Sequence, residues 1–313
     1  MIGDPDRGLN YEIAIALAIA LVLAVLANWP VPRRYHEDAL TFYNAGTTLL
    51  DDGRMDEAEA LLERAREVDP SFAETWNNLG RIALERGEVA RARAHFERAA
   101  EIDPNHALFH LNLASALGMQ GEEARALSHL ERAVALDPVL APAWRPLGRL
   151  QLTAGHVERA VHSLRRAVAL DPGSADTHAD LAVALLVHRE IPEAVAALRA
   201  SLDLDPGNDA VADRLAWILA TAPDGPVRNG AQAVALAERV AASGGDAVPS
   251  RLATLAAAYA ETGRFDLALA TIERALAPAR AAGRADLVQA LEAQAEHYAE
   301  GQPLRDAELA TRR

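Results

Sequence analysis

The sequence predicts an all-α fold: a stack of helical hairpins preceded by one N-terminal transmembrane helix. Three observations carry that prediction. Half of the 313-residue chain is hydrophobic but only 4% is aromatic, so its apolar mass is Ala, Leu and Val, and Ala and Leu are the strongest helix formers. Asp-Pro recurs at Asp69-Pro70, Asp103-Pro104, Asp137-Pro138, Asp171-Pro172 and Asp205-Pro206, each 34 residues after the last. Near the N-terminus, residues 13–27 form one unbroken apolar run.

Residues 1–10 read as a short polar tail and residues 11–32 as a membrane anchor with its stop. Tyr11 and Trp29 bracket the run, and the helix between them would be about 27 Å long, close to a hydrocarbon core of about 30 Å. Tyr and Trp are the residues that sit at the two interfaces. Pro30 and Pro32 then stop the helix, and Arg33-Arg34 follow. A cleaved signal peptide ending at Val25-Leu26-Ala27 and a buried core helix are the competing readings. Against the signal peptide, the leading segment sets Asp4, Asp6 and Glu12 against Arg7, the wrong sign. The Arg pair favours a single-pass inner-membrane protein with cytoplasmic rather than periplasmic repeats.

The regular region spans residues 33–208. With Ala39 as position 1, its units are 39–72, 73–106, 107–140, 141–174 and 175–208. Gly53, Gly87, Gly121 and Gly155 keep the 34-residue step and end the first helix of each unit, because glycine adopts the left-handed conformation found there. Ala58, Ala92, Ala126, Ala160 and Ala194 recur in the second helix, where small side chains let the two helices approach. The Asp-Pro ends that second helix, because proline donates no amide hydrogen and disfavours helix before it. Residues 209–283 read as two irregular units, the first with its turn lengthened by Pro223 and Pro226. Residues 284–313 read as a capping helix, about 285–299, and a tail.

A 34-residue period with this filling resembles the tetratricopeptide repeat family. The family pattern is met by Trp76, Leu79, Gly80, Ala92, Phe96, Ala99 and Pro104 in the second unit, and by Trp144, Leu147, Gly148, Ala160, Leu164, Ala167 and Pro172 in the fourth. His110 and His178 replace its aromatic residue, and Ala114 and Ala182 its glycine. The resemblance covers residues 39–298. It implies a right-handed α-solenoid, and a non-enzymatic scaffold that binds protein or peptide segments in the groove lined by its first helices. The segments around Leu215-Ala216-Trp217 and Ala258-Tyr259-Ala260 are similar to the C-terminal repeats of bacterial membrane proteins, in which such arrays follow membrane segments. That likeness implies a role in envelope assembly or secretion, or, alternatively, as an accessory or regulatory subunit of an envelope glycosyltransferase. Relatives in lipopolysaccharide assembly control end in a cysteine metal module, which a chain without Cys lacks.

Within the implied groove, position 6 reads Asn44, Asn78 and Asn112, then Pro146, Asp180 and Arg214. Three Asn in register could pair with the backbone of an extended peptide, since each offers one acceptor and two donors. This resembles the asparagine ladder of protein O-linked N-acetylglucosamine transferases over three units only. Asn77, Arg81, Arg145 and Arg149 extend the candidate set, the arginines as partners for a carboxylate. The competing reading is local bonding and surface ion pairs. The carboxylate clamp of chaperone-binding relatives is missing its residues here.

Composition removes other functions. All 31 basic residues are Arg and there is no Cys, which excludes lysine Schiff bases, phosphate-loop lysines, thiolate nucleophiles and cysteine-ligated metals. A net charge of −14 argues against nucleic acid. His106 and His110 lie one helical turn apart but without a third ligand. No cofactor, metal or small-molecule substrate is expected.

Overall fold

The computed structural model describes residues 33–244 and 248–310, and among them are fifteen α-helices and no strand. The tail and membrane anchor expected over residues 1–32 lie outside the described residues. Among the described residues, no helix is long and apolar enough to cross a membrane. The chain divides into two compact bodies, Met1–Glu122 and Glu123–Arg313.

The N-terminal body contains α1 (Arg33–Asp51), α2 (Met55–Val68), α3 (Ala73–Glu85), α4 (Val89–Ile102) and α5 (Ala107–Met119). The C-terminal body contains α6 (Glu123–Leu136), α7 (Ala141–Thr153), α8 (Val157–Leu170), α9 (Ala175–His188), α10 (Ile191–Leu204), α11 (Asp209–Thr221), α12 (Gly230–Gly244), α13 (Pro249–Glu261), α14 (Phe265–Ala281) and α15 (Ala285–Ala299). Within each body, hairpin partners pack on each other and each second helix packs on the next first helix; α5 closes the N-terminal body on α4, and α6 opens the C-terminal body on α7. Helix α1 begins six residues ahead of Ala39, because no Pro or Gly interrupts residues 33–38.

The turns explain the 34-residue register. At Gly53, Gly87, Gly121 and Gly155 the backbone is left-handed, with φ between 76° and 79°. There the chain returns two amides to the end of the first helix: Gly87 N–H donates to Leu84 O at 2.9 Å and Glu88 N–H to Ala83 O at 2.8 Å. Two carbonyls that the helix leaves open are thereby satisfied. In the fifth unit the same position holds Arg189, and the geometry persists: φ is 65°, Arg189 N–H donates to Leu186 O and Glu190 N–H to Leu185 O. Packing on both sides thus holds an arginine in a conformation costing about 1–2 kcal/mol.

The second turn owes as much to Asp as to Pro. Each Asp side chain accepts the amide two residues on: Ser71 on Asp69, Asn105 on Asp103, Val139 on Asp137, Gly173 on Asp171 and Gly207 on Asp205, at 2.9–3.2 Å. The next first helix then closes the turn from the other side. Trp76 Nε1 donates to Pro70 O and Trp144 Nε1 to Pro138 O. His110 Nε2 and His178 Nε2 meet Pro104 O and Pro172 O at 3.0 and 3.1 Å. The histidines that depart from the aromatic pattern therefore make the tryptophan's hydrogen bond, with Nε2 as the protonated nitrogen.

Within hairpins the helices approach until side chains no longer fit. A Cβ built on Gly80 would lie 2.5 Å from the Phe96 ring, and one on Gly148 2.6 Å from Leu164 Cγ. Phe96 and Leu164 are fully buried. In the fifth unit Ala182 shares the core with Leu198, so the hairpin there accommodates an alanine, whereas beside Phe96 and Leu164 the position is glycine.

Two outcomes test these constraints. Gly80→Ala should destabilise the chain by about 1–3 kcal/mol through overpacking, and Phe96→Leu in the same chain should recover part of that loss, a coupling readable in a double-mutant cycle by urea unfolding. Arg189→Gly should add about 0.5–1 kcal/mol, the left-handed strain relieved less the entropy of glycine, measured as a raised Tm.

Candidate functional site

In the N-terminal body the first helices α1, α3 and α5 bring Asn44, Asn78 and Asn112 to the same register position. Asn44 is exposed. Asn77 and Asn78 are buried, and their amides are used between units. Asn78 Nδ2 donates to Thr47 Oγ1 at 3.3 Å, and its Oδ1 accepts from Arg81 NH1 at 3.4 Å. Asn112 Nδ2 donates to Asn77 Oδ1 at 2.7 Å. Each amide thus ties its unit to the preceding one; Asn44 is exposed and Asn112 half-buried.

In the C-terminal body Arg145 is held by the next unit's first helix, with Nε 2.6 Å from Asp180 Oδ2 and NH1 3.1 Å from Asp176 Oδ2. Arg149, one turn further along α7, is exposed. The Asp213 carboxyl on α11 is pushed up from its ordinary value by burial, against the opposing pull of Thr254, Arg251 and Arg214. On the second-helix face, carboxylates and arginines bridge successive units. Glu59 meets both Arg86 and Arg91, each at 2.5 Å, and Arg165 meets Glu190 and Glu193 at 2.5 and 2.6 Å. The more exposed of these pairs, such as Arg165 with Glu193, contribute little individually, but their recurrence sets the sequence pattern of that face.

The largest departure from the sequence reading lies at the end of α11. Thr221 is followed by residues 222–229 with Pro223 and Pro226 where other units have a left-handed turn, so the last carbonyls of α11 are not returned to the chain in the usual way. Leu219 O accepts from Asn229 N–H at 2.9 Å, and Ala222 O and Pro223 O both accept from Arg228 NH1 at 2.8 Å. Thr221 O accepts from the backbone N–H of Asp306 at 2.9 Å, and Ala220 O from Arg305 NH1 at 3.4 Å. After α15 the chain reverses at Gly301, where φ is 71°, and residues 302–310 run back along the ends of the first helices.

The segment is specifically held. Asp306 Oδ2 accepts from Trp217 Nε1 at 2.8 Å, and its Oδ1 accepts from Glu308 N–H at 3.0 Å. Arg305 pairs with Glu261 at 2.7 Å, and Glu261 in turn pairs with Arg228 at 3.0 Å. Arg189, the strained residue of the fifth unit, donates to Glu308 O at 3.3 Å. Leu309 is 8% exposed and joins the apolar cluster of Leu185, Leu215 and Ile218, and Leu304 packs against the cluster containing Leu291 and Tyr298. From sequence, the residues after the capping helix read only as a tail. The signals were present as exceptions: Arg189 at a glycine position, two prolines after Thr221, and a lone Trp217 at a groove position.

A cavity of about 440 Å³ in the C-terminal body is lined in part by Trp144, Gln151, Arg159 and His162. At its floor Ser163 Oγ donates to Gln151 Oε1 at 2.7 Å, so that hydroxyl is held by an amide rather than by a base. Among the described residues no three His, Asp or Glu side chains come together as metal ligands. His106 stacks on Phe109 at 4.0 Å.

A family model described as tetratricopeptide repeat matches residues 43–107 and 145–209, and a second of the same description matches residues 83–150. Together they span more than half of the chain. No curated protein matches the chain significantly. Among solved structures, PilF of Pseudomonas aeruginosa is similar over 83% of this chain and 99% of its own, at 18% identity and a TM-score of 0.52. YrrB, described as a TPR protein with an unusual peptide-binding site, is similar over 61% of this chain and 95% of its own, at 22% identity and a TM-score of 0.50. MamA from Desulfovibrio magneticus RS-1 aligns over 55% of this chain and 97% of its own, at 23% identity and a TM-score of 0.48. At these identities the likeness to PilF and YrrB is one of fold.

The amide contacts make a separable pair of substitutions. Asn112→Ala should lower unfolding stability by about 1 kcal/mol, since it leaves the buried Asn77 oxygen without its donor. Asn44→Ala, exposed, should change it by less than about 0.5 kcal/mol, both read by urea unfolding.

Proposed function

Because the chain belongs to the tetratricopeptide repeat family, we propose that it is a non-enzymatic scaffold that holds segments of partner proteins on the face formed by its first helices. Residues 11–32 tether it to a bacterial inner membrane, and its role lies in envelope assembly or secretion. The observation that carries the binding reading is the set of polar side chains that the first helices bring into register. On the N-terminal body Asn44 offers an amide donor and acceptor and Asn112 its amide oxygen to an extended backbone, and Arg81 offers a guanidinium to its carboxylates; on the C-terminal body Arg149 offers another. Asn77, Asn78 and Arg145 hold the face together from within, so a bound segment reaches them only by exchanging one hydrogen bond for another. YrrB, a TPR protein of similar fold with an unusual peptide-binding site, is consistent with this reading. The anionic surface suits partners with cationic character.

The binding reading is tested by capture from detergent-solubilised membranes. Asn44→Ala combined with Asn112→Ala should weaken recovery of the partner several-fold, whereas equal recovery by variant and parent chain would remove these residues from the site. Recovery of a glycosyltransferase as the main partner would favour the accessory-subunit role. For the tether, deletion of residues 1–32 should move the chain from the membrane fraction to the supernatant, and retention in the membrane fraction would overturn it.

A further inference from the structure

Residues 302–310 are bound as a ligand would be. The segment departs from helix after Gly301 and crosses three successive units, touching Arg189 in the fifth, Trp217, Ala220 and Thr221 in the sixth, and Glu261 in the seventh. What receives it is a consequence of sequence. The two prolines after Thr221 stop α11 without the usual return of amides, and this leaves carbonyls at the negative end of a helix dipole, where N–H groups and guanidinium are favoured. A backbone amide and an arginine of the segment fill those acceptors. The Trp217 indole takes the carboxylate of Asp306, and the apolar cluster takes Leu309. Arg189 is kept left-handed at a conformational cost, and its guanidinium reaches a main-chain carbonyl of the segment. Strain of this kind marks positions whose geometry is used.

We propose that the C-terminal end of α11 is a peptide-binding site, that its ligand is an extended partner segment of the pattern Arg-Asp-x-x-Leu, and that the chain closes the site with its own Arg305, Asp306 and Leu309. The pattern follows from the contacts: a cation for Glu261 and the Ala220 carbonyl, a carboxylate for the Trp217 indole, and a leucine three residues on for the apolar cluster. The closing segment is joined to α15 by two residues, so its effective concentration at the site is on the order of millimolar. A partner in solution therefore gains the site only when the segment leaves. This deepens the reading of the first-helix face as a binding surface, and it rests on that reading while using residues of the C-terminal body alone.

The test uses the full chain and a labelled synthetic peptide of residues 301–310. Asp306→Ala with Leu309→Ala removes the anchors in cis and leaves the receiving residues intact. The peptide should bind this variant on the order of 10²-fold more tightly than the parent chain, and Trp217→Phe added to the variant should weaken it again. Absence of binding to a variant with full helical circular dichroism would overturn the proposal. A variant that lost its helical signal would do so too, since the segment would then be part of the core. Dimers of the parent chain that form through residues 302–310 would reassign the occupant to a second copy and overturn the partner assignment. In the parent chain, hydrogen exchange at the Asp306 amide should proceed by local opening, faster than the core amides of α11, and exchange only with global unfolding would identify a permanent cap. Failure of the peptide to bind, with capture still dependent on Asn44 and Asn112, would sink this site and leave the scaffold reading standing.

Discussion

The close approach of two helices within each hairpin is the constraint on which the rest depends. A Cβ at Gly80 would fall inside the van der Waals envelope of Phe96, and interiors packed this tightly transmit even a single added methyl group. The separation fixes where the turn must fall, and the turn fixes the 34-residue register. The register is strong enough to impose its left-handed geometry on Arg189, where no glycine is available. Small residues in the helices and caps at their ends are thus two parts of one requirement, because the helices can meet only if the connecting backbone satisfies its own open carbonyls and amides.

The same caps explain where the repeat gives way to a site. In the first four units, the end of a first helix is sealed by local amides and the following Asp-Pro turn is sealed from the next unit by a Trp or His ring. Unit six lacks the first seal. Its helix α11 ends in carbonyls that must be satisfied from elsewhere, since buried polar groups without partners are costly. The solution adopted is a segment from more than 80 residues away. Departure from the repeat pattern thus creates the acceptors, and acceptors at the end of a helix on an otherwise regular face are what an incoming chain can read.

The polar residues on the first-helix face divide by burial into two roles. Asn78 and Asn77 spend their amides holding one unit to the next, and Arg145 spends its charge on Asp176 and Asp180. Asn44 and Arg149 are exposed, and Asn112 and Arg81 are half-buried. A recurring Asn at one register position is compatible with either role, because the amide serves equally well toward the preceding unit and toward a ligand. Sequence spacing could establish that the three Asn share a face. It could not say which of them the neighbouring unit had already engaged.

The sequence by itself determined the hairpin, its period and its turns. These are set by local chemistry: glycine at a left-handed position, Asp-Pro at a helix end, and alanine where helices touch, all read at fixed spacing along the chain. It also marked the exceptions at Arg189, His110, His178, Pro223 and Pro226 without revealing their consequence. Only the tertiary structure decided that the histidines replace an indole hydrogen bond, that Asn78 points into the stack, and that residues 302–310 return to the end of α11. Each of those outcomes depends on which groups meet across a gap of many residues. A repeat pattern specifies neighbours one period apart, whereas the partner of Thr221 and Trp217 lies at the far end of the chain and obeys no period.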